Sequence, residues 1–313
     1  MSAVPQQKNN VMLGSAYMLI GAFSFSLVGG VVRELSTDIH PFMLVFWRTS
    51  IALVILLPIL WTSGSLRNLK TKRFGLHFLR GAISSFTLIA NFYAFSAIPL
   101  AEAVSYSFAA PIFTTITAVI FLKEKIRLPR ILAVIFGFIG MLVLLQPGYQ
   151  PINLGVIAAL SAAVAIAFTI VLVRVLARTE KPQVITFYSL VCTLPASLIF
   201  ALPVWSWPSW DNLLLVLALG VLAAVTQLSL SKAISEAEAS ALMPLDFTRL
   251  IFSALIGYFF FAEQPELNTY VGAVIIMASV LYAAHRERLN AKREKGQVPP
   301  TAEATVKPGG DAL

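Results

Sequence analysis

Residues 41–47 of the chain read PFMLVFW, and residues 182–188, which lie 141 positions later, read PQVITFY. A second pair of similar segments is AIPLAEA at residues 97–103 and AISEAEA at residues 233–239, at an offset of 136. The paired segments follow one another in the same order. This order predicts that the chain contains two copies of one structural unit, with small insertions between the matched segments.

The composition of the chain favours a membrane protein. Of its 313 residues, 58% are hydrophobic and only 12% are charged, and the mean hydropathy is +0.82. Soluble domains carry about 25% charged residues, so a water-soluble fold is excluded. The net charge of +8 comes from basic residues clustered between apolar stretches. Such clusters indicate membrane topology rather than a nucleic-acid partner.

Apolar stretches about 17–22 residues long recur from Val11 to Ala284, and stretches of this length can cross the hydrocarbon core as helices. The turn-rich segment QPGYQP at residues 146–151 divides them into two groups of five. We therefore predict ten transmembrane helices, at residues 11–32, 41–61, 75–96, 101–122, 129–146, 153–175, 183–204, 211–232, 238–261 and 268–285.

The distribution of lysine and arginine predicts the orientation of these helices. Basic residues concentrate after the second, fourth, sixth and tenth spans, whereas the alternate loops carry almost none. The positive-inside rule then places both termini in the cytoplasm. Because each half has an odd number of spans, the two halves cross the membrane in opposite senses, as inverted repeats do. The predicted fold is an all-α membrane protein with ten transmembrane helices arranged as two inverted five-helix repeats.

We assign the first repeat to residues 11–146 and the second to residues 153–285. The polar segment at residues 286–313, which contains two adjacent prolines and two adjacent glycines, is predicted to be a disordered cytoplasmic tail.

Several short segments resemble the drug/metabolite transporter superfamily, specifically its EamA-type ten-helix members. They are residues 41–48, the run from AEA at 101–103 through Pro111 to LKEK at 122–125, Gly140, AEA at 237–239, FAE at 261–263, and Gly272. The resemblance covers residues 13–285 and implies a carrier of small organic metabolites in the bacterial inner membrane. Members of this family include exporters of amino acids and metallophores, and carriers of riboflavin and S-adenosylmethionine.

One departure from a strict repeat concerns Pro111. No proline occupies the matching position of the second half, and Pro244 is displaced by several residues. The sequence therefore does not predict that the fourth and ninth spans bend in the same way.

Arg48 lies seven residues into the predicted second span, where inserting a charge costs about 2.5–3.5 kcal/mol. One interpretation is that the guanidinium binds a substrate carboxylate or phosphate bidentately. The other is that Arg48 is structural and bonds helix-end carbonyls or Glu102. The residue pattern leaves both open.

Asp246 and Arg249 are three residues apart in the predicted ninth span, so they share one helical face. A mutual ion pair would lower the cost of inserting both charges. Alternatively, the pair opens to bind a zwitterion, or Asp246 takes up a proton during transport.

The polar side chains of Asn91 in the third span and Gln227 in the eighth are predicted to line a substrate path. Tyr106 in the fourth span is predicted to offer an aromatic face with a hydroxyl. The alternatives are hydrogen bonds between helices for the amides, and ordinary aromatic packing for Tyr106. Together with the three charged residues above, these residues form the predicted substrate site.

The sequence argues against two rival classes of function. His40, His77 and His285 have no metal-ligand spacing, and no GxxxxGK phosphate loop occurs, so we predict no enzymatic activity, no metal site and no cofactor. No ring of like charges typical of a channel is evident.

We predict a secondary transporter that moves a small amphipathic or zwitterionic metabolite, amino-acid-like or metallophore-like, across the bacterial inner membrane by alternating access. The resemblance favours export, and uptake of riboflavin or a similar nucleoside-like or cofactor-like metabolite is the alternative. The expected partners are this small molecule and the lipid bilayer. Proton coupling through Asp246 and a homodimer stay open as hypotheses.

Overall fold

The computed structural model describes residues 10–62, 71–122, 128–146, 153–180, 182–236, 242 and 245–297. These residues form helices and short turns, and no strand occurs among them. The helices are α1 (Val11–Leu35), α2 (Pro41–Thr62), α3 (Phe74–Ala97), α4 (Leu100–Ser107), α5 (Ala110–Leu122), α6 (Leu128–Leu145), α7 (Leu154–Ala177), α8 (Pro182–Ala201), α9 (Trp210–Glu236), α10 (Thr248–Phe261) and α11 (Leu267–Gln297), with a 3₁₀ turn at Leu202–Val204.

Six stretches are long and apolar enough to cross a membrane: α1, α2, α4 together with α5, α7, α8 and α9. The shorter or more polar helices α3, α6, α10 and α11 complete the ten spans. The predicted all-α fold with two inverted five-helix repeats is confirmed. The first repeat contains α1 to α6, in which α4 and α5 form one span, and the second contains α7 to α11.

The packing between the repeats has an approximate two-fold symmetry. Helix α1 packs against α9 just as its counterpart α7 packs against α3. The contacts of α2 with α9 and of α1 with α10 likewise have equivalents, in α8 with α3 and in α7 with α5. Helices α2 and α8, and α6 and α11, pair with their own counterparts. Most of the apolar interior is therefore an interface between the two repeats.

The fourth span, predicted over residues 101–122, occurs as one apolar stretch at Leu100–Phe121, but it consists of two helices. The helix is interrupted at Phe108 and Ala109, just before Pro111, which has no N–H for the carbonyl of Ser107. The amides of Phe108 and Ala109 instead donate to the carbonyls of Ser105 and Tyr106, at 3.1 and 3.0 Å. A tight turn therefore satisfies the backbone where the α-helix stops.

The ninth span is interrupted at the corresponding place. Helix α10 begins at Thr248, after a turn at Phe247, whereas part of the predicted 238–261 span lies outside the described residues. Phe247 follows Phe108 by 139 positions, the same offset that relates Glu124 to Glu263. The rings of Phe108 and Phe247 are in contact, with their centroids 4.6 Å apart. The two interruptions therefore meet at the centre of the structure, without a proline at the matching second position.

The last helix is longer than predicted. Helix α11 continues to Gln297, so residues 286–297, predicted to be disordered, are helical. The segment is rich in arginine, lysine and glutamate, which are strong helix formers. Residues 298–313 of the predicted tail lie outside the described part of the chain.

One end of the helix bundle holds Trp205, Trp207 and Trp210 and is called the tryptophan end here; the other holds Lys72, Arg73 and Arg178 and is called the basic end. A compact polar cluster lies at the tryptophan end. Arg33 pairs with Glu263 at 2.8 Å and donates to the carbonyls of Ile98 and Phe95 at 2.6 and 3.3 Å.

The buried carboxylate of Glu263 also serves a helix terminus at this end. Its Oε2 accepts a hydrogen bond from the Leu100 amide at 2.8 Å, at the start of α4. Burial raises the pKa of the Glu263 carboxyl, while the Leu100 amide and the Arg33 charge act in the opposite direction. Arg33 and Glu263 therefore bond the end of α3 and the start of α4, where the carbonyl and amide groups lack helical partners.

Helices α6 and α11 approach closely at Gly140, which supplies a prediction. A Cβ at this position would lie 2.9 Å from the Ile276 backbone nitrogen and 3.0 Å from the Gly272 carbonyl oxygen. Gly140→Ala should therefore force the two backbones apart and lower stability by about 1–3 kcal/mol. Thermal unfolding of the detergent-purified protein, followed by tryptophan fluorescence, measures this effect.

Gly75→Ala is the matched control, because a Cβ there meets nothing within 4 Å and alanine is the better helix former. Equal melting temperatures for Gly140→Ala and Gly75→Ala would contradict the close approach.

Candidate functional site

A cavity of about 250 Å³ lies between the two repeats. Five helices enclose it, two from the first repeat and three from the second. Its lining residues are Arg48, Thr49, Ala52 and Leu56 of α2; Ser84, Thr87 and Leu88 of α3; Ile166, Thr169 and Ile170 of α7; Ser189, Leu190 and Thr193 of α8; and Ala223 and Gln227 of α9.

The cavity lies near the middle of the membrane-spanning helices. Residues 84–88 are central in α3, which spans 24 residues, and residues 166–170 are central in α7, also of 24 residues. A helix of that length measures about 36 Å. A cavity at mid-depth between two inverted repeats is where secondary transporters bind their substrates.

The two repeats contribute corresponding positions to the cavity. Helices α2 and α8 are related by the 141-residue offset seen in the sequence, and three pairs of equivalent residues line the cavity from opposite sides. These pairs are Arg48 with Ser189, Thr49 with Leu190, and Ala52 with Thr193. The positions are symmetric, but the chemistry is not, because only one member of these pairs is charged.

Arg48 is the one charged residue among those that line the cavity. Its Nε atom is buried and has no hydrogen-bond partner within the described part of the chain, and no described carboxylate pairs with its guanidinium. Burying an uncompensated charge is costly. The guanidinium is therefore available to an anionic or oxygen-rich group that enters the cavity, which it can bind bidentately.

The remaining wall alternates hydroxyl-bearing and aliphatic side chains. Six hydroxyls and one amide face the cavity beside the aliphatic groups of seven other residues. The hydroxyl of Thr49 is buried and without a partner among the described residues. The hydroxyls of Thr87, Thr169 and Thr193 donate to their own helices at 2.6–3.0 Å, so their lone pairs can still accept a donor from a substrate.

The structure does not bring the six predicted site residues into one place. Arg48 and Gln227 line the cavity, whereas Asn91, half-buried on α3, does not. Tyr106 is only 1% exposed and donates its hydroxyl to Glu102 at 3.2 Å.

Asp246 and Arg249 form an ion pair at 2.5 Å, away from the cavity lining. The Arg249 guanidinium lies over the rings of Phe25 and Phe108, 5.2 Å from each centroid. Ser26 donates its hydroxyl to the Arg249 carbonyl at 3.0 Å. The pair thus stands beside the interruptions of the fourth and ninth spans and joins α1 to α10.

Sequence reasoning missed several cavity residues, chiefly the hydroxyls of Ser189, Thr193 and Thr169. A signal for two of them was present, because Ser189 and Thr193 are the counterparts of Arg48 and Ala52 at the 141-residue offset. Thr169 lies in an apolar helix whose sequence does not show which face meets the cavity.

Comparison with known proteins identifies the family. The model of the EamA-like transporter family matches residues 12–146 and 153–284. A riboflavin transporter of Vibrio cholerae is 29% identical over 292 residues, covering 92% of this chain and 98% of the relative. An S-adenosylmethionine uptake transporter of Rickettsia conorii is 32% identical over 285 residues, covering 90% and 97%.

A solved protein structure that covers 92% of this chain and 99% of its own has a TM-score of 0.60 at 17% identity, which supports the fold alone. The chain belongs to the EamA-like transporter family. It is a multi-pass inner-membrane protein that transports a small metabolite, and it is not an enzyme.

Because no partner of the Arg48 guanidinium is found among the described residues, we predict that removing it does not lower the stability of the protein. Arg48→Met should leave the melting temperature unchanged or raise it, because it removes a buried charge and keeps an unbranched apolar side chain. Arg80→Met is the matched comparison, since Arg80 donates to the Ile185 carbonyl at 2.9 Å. Its loss should cost about 1–3 kcal/mol. A lower melting temperature for Arg48→Met than for Arg80→Met would show that Arg48 is a structural residue.

Proposed function

We propose that this member of the EamA-like transporter family takes up an amphipathic or zwitterionic metabolite that combines oxygen-rich or anionic groups with a planar nitrogen heterocycle. The observation that carries the proposal is Arg48, which lines a cavity at mid-depth and whose guanidinium has a buried Nε without a partner and no carboxylate paired with it among the described residues. A carboxylate or a pair of ring carbonyls supplies the acceptors that such a fork binds.

The rest of the cavity supports the same class of substrate. Its hydroxyls and the Gln227 amide suit a hydroxylated chain, and its aliphatic walls suit the flat faces of a ring. Riboflavin and S-adenosylmethionine, for which two relatives are named, both join a planar nitrogen heterocycle to a hydroxylated sugar or sugar alcohol. Riboflavin carries ring carbonyls, and S-adenosylmethionine carries a carboxylate.

Transport proceeds by alternating access in this proposal. The two-fold packing of the repeats gives the cavity equivalent helices on either side, so a rocking motion about their interface exposes it to each face in turn. The basic end faces the cytoplasm, following the positive-inside rule. The word "uptake" in the name of the Rickettsia relative supports inward transport, whereas the resemblance used in the sequence analysis favoured export.

Counterflow in proteoliposomes tests the proposal. Vesicles loaded with unlabelled S-adenosylmethionine or riboflavin should accumulate the labelled compound, with a rate that saturates. Arg48→Met should lower transport at sub-saturating substrate by about 10- to 100-fold, the effect of losing a charged hydrogen bond. Arg48→Lys keeps the charge but loses the planar, bidentate geometry of the guanidinium. Its transport rate should lie between those of the unmodified protein and Arg48→Met.

Arg178→Met is the control, because this arginine is exposed at the basic end. If Arg48→Met showed the same counterflow as the unmodified protein, with equal amounts of protein in the vesicles, Arg48 would not be part of the substrate site. In cells, expression should raise the internal concentration of added substrate. A lowered internal concentration would show that the carrier works as an exporter.

A further inference from the structure

Helices α3 and α8 form a close seam between the cavity and the basic end. A Cβ at Gly81 would lie 2.5 Å from the Cys192 Cβ and 2.7 Å from the Cys192 carbonyl carbon. Ser85 donates its hydroxyl to the Thr193 carbonyl at 2.8 Å. The α3–α8 seam, defined as residues 77–85 of α3 and 185–193 of α8, therefore joins the two repeats with little space between the backbones.

The position of the seam relates it to access. Ser84, Ser189 and Thr193 belong to the seam and also line the cavity. Both helices begin at the basic end, α3 at Phe74 and α8 at Pro182. The seam therefore runs from the cavity towards the basic end, and a separation of α3 from α8 would open the cavity in that direction.

His77 is buried in this seam in an unusual state. Its side chain is 1% exposed, and neither ring nitrogen has a hydrogen-bond partner among the residues described. The ring stacks on Tyr188 of α8, with the centroids 4.6 Å apart and the planes at 27°. Most buried polar side chains are hydrogen-bonded, so an imidazole with two unused nitrogens calls for an explanation.

Charged groups of opposite sign face His77. Arg80 lies one turn further along α3, Glu180 follows the end of α7, and Tyr188 and Cys192 belong to α8. Glu180 accepts a hydrogen bond from Thr71 at 2.7 Å. A proton on His77 would thus meet repulsion from Arg80 inside the seam and attraction from Glu180 towards the basic end.

We propose that His77 is a proton-binding site whose occupancy opens the α3–α8 seam and so makes access to the cavity from the basic end depend on pH. The imidazole takes one proton from the aqueous phase at the basic end, and the resulting cation has two N–H donors. The closed seam offers these donors no described acceptor. Water can reach them when α3 and α8 separate. Release of the proton to the same aqueous phase restores the neutral ring and its stack on Tyr188. This role rests on the proposed transport function and adds a pH-dependent opening to it.

The seam contains its own reporter. Cys192 is the only cysteine of the chain, it is 3% exposed, and it lies against Gly81. We expect the protein in detergent to react slowly with N-ethylmaleimide at about pH 8, relative to the same protein denatured at that pH. This relative rate should rise as the pH falls to about 5, the range in which histidines titrate. The division by the denatured rate removes the loss of thiolate at low pH, so a rise reports opening of the seam.

Variants assign the effect to His77. In His77→Phe, which keeps a ring against Tyr188 and removes no hydrogen bond described here, the labelling rate relative to the denatured protein should stay constant as the pH falls. His77→Gln provides a second non-titrating side chain if phenylalanine disturbs folding. His285→Gln is the control, because His285 is exposed on α11, and it should behave as the unmodified protein does. Rates are expressed relative to those of the same protein denatured at each pH.

Each outcome is decisive. A relative rate that rises at low pH, with the rise lost in His77→Phe or His77→Gln, supports the proposal. A relative rate that is constant or falls at low pH in the unmodified protein, or a rise that persists without His77, overturns it. The measurement needs no substrate, so its failure is distinct from a failure of the counterflow experiment, and either result can be obtained without the other.

Discussion

The structure depends on one constraint of the lipid bilayer, which is that backbone N–H and C=O groups must find partners within the protein. Two spans break this continuity, at Phe108 and at Phe247. Phe108 is 3% exposed and Ala109 is fully buried, so the first interruption is shielded by protein. Because the two phenylalanines touch, each interrupted span covers the other. Neither repeat would be stable in the membrane with its interruption facing lipid.

This dependence explains why the two repeats interlock. The close packing at Gly81 and Gly140 involves one helix from each repeat. The hydrophobic effect does not drive helices together in lipid, where tails are as apolar as leucine, so close backbone contact and buried hydrogen bonds must do so. The bond from Ser85 to the Thr193 carbonyl and the bond from Ser26 to the Arg249 carbonyl both cross between repeats. At these four places a small residue or a hydroxyl joins the two repeats.

Six of the ten spans could be predicted because their length and hydropathy define them, and the repeat supports the four that are shorter or more polar. The repeat also predicted which residues of α2 and α8 correspond, and Arg48 was found because a charge inside a span is conspicuous. The sequence did not predict how each helix is rotated about its own axis, and so which of its faces meets the cavity. Helix α7 is apolar on all sides, so its sequence does not distinguish the face with Thr169 from the faces that meet lipid or protein.

The roles of Asp246 and Arg249 could not be assigned from the sequence for a related reason. Two charges one turn apart fit a substrate site and an ion pair equally well, and the choice depends on the neighbouring Phe25 and Phe108. These neighbours lie far away in the sequence. The second interruption was also hidden, because Phe247 has no proline at the position that matches Pro111.

The difference between Arg48 and Ser189 has a consequence for the orientation of a bound ligand. They occupy equivalent positions on opposite walls of the cavity, so identical repeats would have given two facing cations and a binding site without polarity. With serine on one side, a substrate bound as proposed above has a single preferred orientation, with its oxygen-rich end against α2. In that proposal the substrate does not rotate during transport. The helices move around it, and it leaves through the opposite face with the same end still against α2.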